Sequence, residues 1–201
     1  MIPVFDIKRQ NKIIGKEIKL AVLKTVDSGS FILGQQVTEF EKEFAKYLGV
    51  KFAVGVASGT DAISLALLAL GIGPGDGVIL PANSYPSVFA VTAIGAVPQL
   101  VDIDPQTYNI DPQKIPSAIT KKTKAIMPVH LYGQPADMEK IMGISRKYKI
   151  PVVEDCAQAV GAEIRIRNYE LGIRNKFPVI PTDPRFAGEW LVVPGRGLEP
   201  P

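Results

Sequence analysis

The sequence predicts an α/β fold in which a parallel sheet is covered by helices on both faces. Three observations carry that expectation. Five short apolar runs rich in β-branched residues, Phe52–Val56, Val78–Leu80, Val97–Val101, Lys124–Val129 and Val152–Glu154, have the length of buried strands. A helical segment separates each run from the next, the arrangement that right-handed crossovers between parallel strands require. Loops rich in Gly, Pro and Asp, such as 71–77, mark the seams.

The elements follow in order. Residues 1–15 are expected to be an extended arm, since Pro3 stands against an early helix. Ile18, Val22 and Val26 then share one helical face, with an end expected near Asp27 to Gly29. A first region of arm and helix thus spans 1–35. Val37, Phe40, Phe44 and Leu48 mark a second amphipathic helix, with Thr38 and Glu41 spaced as a capping box and Gly49 placed to end it. The alternation begins after that helix. Ser58-Gly59-Thr60 turns the first strand into a helix over 61–70. Residues 81–86 form a loop before a helix reaching about Ile94, and Asp111 with Pro112 opens a helix fading near Thr120. Asp137 caps the helix that precedes the last strand.

Composition removes several classes of function. Hydrophobic content of 46%, charged content of 21% and a net charge of +3 are those of an ordinary globular protein. The lysines are scattered, with no basic block of the kind that marks nucleic-acid or anionic-lipid binding. One Cys and one His leave no internal disulfide and no ordinary zinc set. The start, MIPVFDIKRQ, has no apolar core of a signal peptide, and no stretch approaches the roughly 18 apolar residues of a membrane span. A reducing, cytoplasmic setting is therefore expected.

The chemistry gathers at the carboxyl ends of the strands, where open α/β sheets bind ligands. In VVEDCAQAVGA (152–162), Glu154 and Asp155 stand where the last strand runs out. A partly buried carboxylate there wants a cationic partner, and a protonated pyridine nitrogen is one; an N-cap or surface acid is the plain alternative. Ser58-Gly59-Thr60 at a helix start offers backbone N–H groups, the positive end of a helix dipole and hydroxyls to a phosphate, although Ser and Thr are also common caps. Tyr85, in the loop after the second strand, is placed to stack on a flat ring, or to serve as a core or surface residue. Gln158 offers a donor to a phenolate-like oxygen, or satisfies a turn. His130, at the end of another strand with no partner nucleophile evident, reads as structural. A phosphate site, a stacking ring, an acid and an amide donor on one edge of one sheet are what pyridoxal phosphate needs.

These residues lie in runs that resemble the DegT/StrS family of pyridoxal-phosphate-dependent sugar aminotransferases, within the fold type I aminotransferases. The runs are SGTDAISLALLALGIGPGD, LPANSYPSVFAVTAIGAVPQLVDIDPQTYNID, KAIMPVHLYGQPADM and VVEDCAQAVGA, spread over residues 3 to about 163. The resemblance implies the three-layer, mostly parallel large domain of that fold, here incomplete and spanning 36–163. It also implies pyridoxal 5'-phosphate as cofactor. Gly59 and Thr60 would hold its phosphate, Tyr85 would stack on the ring, Asp155 would bond the ring nitrogen, and Gln158 the ring oxygen. Glutamate and a nucleotide-linked keto sugar are the implied substrates, and the implied assembly is a homodimer with its active site at the interface. A dinucleotide-binding reading is disfavoured, because GVASGTDA lacks the G-x-G-x-x-G spacing and no acid ends the second strand.

The resemblance stops near Ile164. From there Arg replaces Lys, six prolines and the single Trp190 crowd the tail, and no Ser occurs. The family continues instead with a serine for the phosphate and the lysine that links to the cofactor. Lys176, in RNKFP, does not match that motif and is assigned no role. The expectation is a truncated aminotransferase, inactive as this chain, with a poorly ordered and frameshifted or replaced tail at 164–201. The alternative is a non-catalytic module that binds the coenzyme or pairs with an intact subunit. With later strands missing, an oligomeric or aggregation-prone product is expected.

Overall fold

A computed structural model describes residues 6–163 and the backbone of the strand Trp190–Pro194. The remainder of the tail, including Lys176, lies outside the described residues. The chain divides into two compact units, Met1–Lys42 and Glu43–Pro201.

The first unit is dominated by α1 (Ile7–Ser28). The expected arm is therefore helical from Ile7 onward. Pro3 does not prevent this, because it precedes the N-cap: Asp6 accepts a hydrogen bond from the Arg9 N–H at 3.0 Å and starts the helix after the proline. Gly29, at φ +64°, ends α1 where the sequence places its end. α1 buries no residue; Ile18, Val22 and Val26 share a face that stays exposed.

α2 (Gln35–Leu48) begins earlier than the Thr38–Glu41 box implies. The Gly34 carbonyl accepts from the N–H groups of Val37 and Thr38, so Thr38 lies inside the first turn and caps nothing. Gly49, at φ +70°, closes α2 as expected, with the Val50 N–H reaching back to the Ala45 carbonyl.

Within the second unit the strands are β1 (Phe52–Val56), β2 (Gly77–Pro81), β3 (Val97–Val101) and β4 (Thr123–Ile126). The crossover helices are α3 (Gly59–Ala69), α4 (Tyr85–Ala93), α5 (Ile115–Ala118) and, after β4, α6 (Met138–Tyr148). β2 is central, paired in parallel to β3 on one side and β4 on the other. All five of its residues are buried, the property of a strand covered on both faces. Val78, Leu80, Ala125, Met127 and Val153 pack with α3 and α4, while Ile79, Ile126 and Val152 pack with α5 and α6. Alternate residues of each strand thus feed opposite layers, which confirms the expected α/β architecture.

The fifth expected strand forms as isolated parallel bridges, Ile126 with Val152 and Val129 with Asp155. Backbone bonds still run the length of this seam, from the Ile126 N–H to Pro151, Val153 to Ile126, Asp155 to Pro128 and His130 to Asp155. Pro128 and Pro151 have no N–H to give, so the ladder is punctuated. α5 is also shorter than expected. Asp111 accepts from the Gln113 N–H at 2.9 Å, a local turn that competes with a helix start, and regular helix begins only at Ile115. Inside the tail, β5 (Trp190–Pro194) pairs in parallel with β1, in the register Phe52 to Trp190 and Val56 to Pro194. The sequence analysis did not anticipate that strand.

Candidate coenzyme site

The site lies in the second unit, and strand ends and helix starts build it. The seam beside β4 delivers Asp155 to the carboxyl edge of the sheet. Its carboxylate is held from two sides: Oδ1 accepts from the Ala157 N–H at 3.1 Å, and Oδ2 accepts from the Ser87 hydroxyl at 2.9 Å. Asp155 is only partly buried. An anion so fixed can accept a further hydrogen bond from a cationic ring N–H.

Ser87 lies in the first turn of α4, and so does Tyr85. Tyr85 is the first residue of this helix rather than part of the preceding loop, because Pro86 favours a helix start. Its ring is 71% exposed and meets Phe89 edge-on, with centroids 4.9 Å apart. Phe89 does not stack on the ring, and the high exposure of Tyr85 leaves it accessible to a stacking partner. The same helical turn presents the aromatic ring and clamps the acid.

Gln158 is exposed, and its Oε1 accepts from the Tyr132 N–H at 2.8 Å. This bond settles the amide's orientation: the acceptor end is engaged, leaving Nε2 as the donor. A donor is what a phenolic ring oxygen needs. Tyr132 has φ +55°, an unusual backbone state for a bulky residue, and that state aims its N–H at Gln158.

Ser58 caps α3 by accepting from the Asp61 N–H at 3.1 Å, which makes Gly59 and Thr60 the first two residues of the helix. Their N–H groups have no acceptor within the helix, and all three residues are half-buried. α3 packs beside α4, with the Ser64 hydroxyl donating to the Ala90 carbonyl at 2.9 Å. The structure thus links Tyr85 to Asp155 through α4. Gly59 and Thr60 share no hydrogen bond with Tyr85, Asp155 or Gln158 and are tied to them only through helix packing. Ser84, Ser87 and Tyr132 escaped the sequence analysis. A serine three residues from another in a helix's first turn is a common pattern and carries no signal by itself.

His130 and Glu154 form a buried pair behind the site. His130 Nδ1 accepts from the Ala136 N–H at 3.0 Å, so Nε2 carries the proton and donates to Glu154 Oε2 at 3.0 Å. Burial pushes the Glu154 carboxyl above the usual carboxylate range, opposed by the His130 hydrogen bond. Burial, reinforced by Glu154 and Asp155, raises the Cys156 thiol well above its ordinary value. Ligand-type atoms of His130, Glu154 and Cys156 lie within 4.8 Å of one another. With Nε2 donating to Glu154 and burial favouring the neutral thiol, the three side chains form a packed polar cluster behind the site. The structural reading of His130 agrees with this geometry.

Comparison with known proteins follows the same outline. The model of the DegT/DnrJ/EryC1/StrS aminotransferase family matches residues 12–172. Among curated relatives, a dTDP-3-amino-3,6-dideoxy-alpha-D-galactopyranose transaminase of Aneurinibacillus thermoaerophilus is 52% identical over 81% of this chain and 45% of its own length. A UDP-2-acetamido-2-deoxy-3-oxo-D-glucuronate aminotransferase of Pseudomonas aeruginosa is 46% identical over 82% of this chain and 46% of its own. The crystal structure of Streptomyces venezuelae DesV superposes with a TM-score of 0.77 at 44% identity, covering 81% of this chain and 44% of that one. The Bacillus subtilis protein ntda, solved with bound cofactor PMP, gives 0.76 at 44% identity, covering 80% and 37%. The chain spans about half the length of the curated relatives it matches. Among the described residues, no helix is long and apolar enough to cross a membrane.

Proposed function

Starting from the premise that this chain belongs to the DegT/DnrJ/EryC1/StrS aminotransferase family, we propose that it binds pyridoxal phosphate or pyridoxamine phosphate at the carboxyl edge of its sheet. The observation that carries this reading is the Asp155 carboxylate, partly exposed at a strand end with both oxygens already oriented. The residues fit the coenzyme's chemistry. Asp155 would accept from the ring N–H, Gln158 Nε2 would donate to the ring oxygen, Tyr85 would cover a ring face, and Gly59 and Thr60 would offer N–H groups to the phosphate. When bound, the coenzyme supplies an electron sink that stabilises negative charge on a substrate carbon during amino transfer. Asp155 would keep that nitrogen protonated, and Tyr85 would limit water at the ring face.

The relatives' names support an amino transfer to a nucleotide-linked keto sugar as the reaction of the full-length family fold, and the family resemblance adds glutamate as the donor. The chain as it stands is proposed to perform little of that transfer by itself. None of its lysines occupies a motif matching the family's cofactor lysine, and that group also serves as the base that moves the substrate proton.

The test is a fluorescence titration of the purified chain with pyridoxal phosphate, followed by borohydride reduction and peptide mapping. Saturable binding weakened by Asp155→Ala, with no lysine labelled at a defined position, is the expected result. No saturable binding contradicts the coenzyme reading, and a single labelled lysine with glutamate turnover contradicts the inactivity.

A further inference from the structure

The first turn of α4 contains an arrangement that ordinary helix capping does not explain. Ser84 is the N-cap of α4, yet its side chain makes no cap hydrogen bond. A serine at this position ordinarily accepts from an N–H of the first turn. Here the second helical residue is Pro86, which has no N–H. The Ser84 hydroxyl instead lies 2.6 Å from the Ser87 hydroxyl, which lies 2.9 Å from Asp155 Oδ2. Counting protons fixes the direction. Asp155 accepts, so Ser87 spends its one hydroxyl proton on the carboxylate, and Ser84 must then donate to Ser87. Both serines are buried, Ser87 completely.

We propose that Ser87, supported by Ser84, is a positioning residue that holds the Asp155 carboxylate toward the ring nitrogen of the coenzyme. This rests on the coenzyme reading above. Two hydroxyls donating in series polarise each other, so the second strengthens the bond the first makes to the acid. Ala157 steadies the other carboxylate oxygen through its backbone. Rotation of the carboxylate is then blocked from both sides while its outer lone pairs remain available. Because Tyr85 occupies the same turn, α4 sets the ring's stacking surface and the acid's direction with one rigid piece.

The deciding experiment compares two ligands on the full chain: pyridoxamine phosphate, and its 1-deaza analogue, in which carbon replaces the ring nitrogen. Ser87→Ala is expected to weaken pyridoxamine phosphate about tenfold, the order set by a hydrogen bond to a charged group. Binding of the deaza analogue should be unchanged. Ser84→Ala should show the same selectivity with a loss of about threefold. Equal loss of both ligands, or no loss of either, overturns the proposal. Should Ser87→Ala fail to fold, Ser84→Ala decides by the same comparison: selective loss supports the proposal, and equal behaviour overturns it. Wild-type chain that binds neither ligand overturns the coenzyme reading and this proposal with it, an outcome distinct from the others.

Discussion

α1 and β2 are both rich in apolar residues, yet they stand at opposite ends of the range of burial. α1 is 22 residues long and buries none of them, with Val22 55% exposed on its apolar face. β2 is five residues long and buries all of them. The difference shows that an apolar period specifies a face but not what covers it. β2 is flanked by two strands and faced by two helical layers from the same chain. α1 keeps its helix through local means: the Asp6 cap, the Gly29 stop and intrahelical hydrogen bonds. Stability is therefore concentrated around β2 and the seam that carries Asp155.

Substitutions can break this contrast. The largest effect is expected at Ile126, fully buried between β2 and α6. Ile126→Ala should cost about 2–5 kcal/mol of unfolding free energy in a urea titration. A loss below about 1 kcal/mol would mean the layer is not packed as described. Next is Glu154. Its carboxyl ionises at a higher pH in the folded chain than in the unfolded one. The folded state therefore binds more protons in the interval between the two values, and stability falls as pH rises through it. Above the interval the penalty is constant. Glu154→Gln should abolish that fall, so its melting temperature should gain on the wild type from the ordinary carboxylate range upward. Parallel melting curves across pH would count against a buried, raised carboxyl.

Smaller effects sharpen the other side. Val22→Ala on the exposed face of α1 should shift unfolding by no more than about 0.5 kcal/mol. A large loss there would reveal that something covers the face in solution. The smallest effect is expected at Lys114, whose 2.9 Å ion pair with Asp102 lies in solvent. Lys114→Ala should leave the melt unchanged in physiological salt, because water and ions screen such pairs.

Much of this organisation was legible in the sequence, for reasons that particular residues show. Val78 to Leu80 had to be a buried strand, since three consecutive apolar residues between glycine-rich and proline-bearing turns have few other uses. The position of Asp155 was legible, because the β-branched pair Val152-Val153 runs out immediately before it and puts the acid at the carboxyl end of a strand. The helical start at Ile7 is less legible, because Pro3 stands against an early helix, yet a proline before the Asp6 cap leaves the helix untouched. The start of α4 at Tyr85 is not legible in the loop-like run 81–86, although Pro86 is compatible with the first turn of the helix. The orientation of Gln158 was not legible. It depends on the N–H of Tyr132, 26 residues away in sequence, and on a positive φ that nothing about a tyrosine suggests.

The most direct measurement is a crystal structure of the full chain soaked with pyridoxamine phosphate. The account predicts the ring against Tyr85, its nitrogen within hydrogen-bonding distance of an Asp155 carboxylate oxygen, and its phosphate at the N–H groups of Gly59 and Thr60. A ring bound elsewhere, or Asp155 turned away from it, would contradict the account.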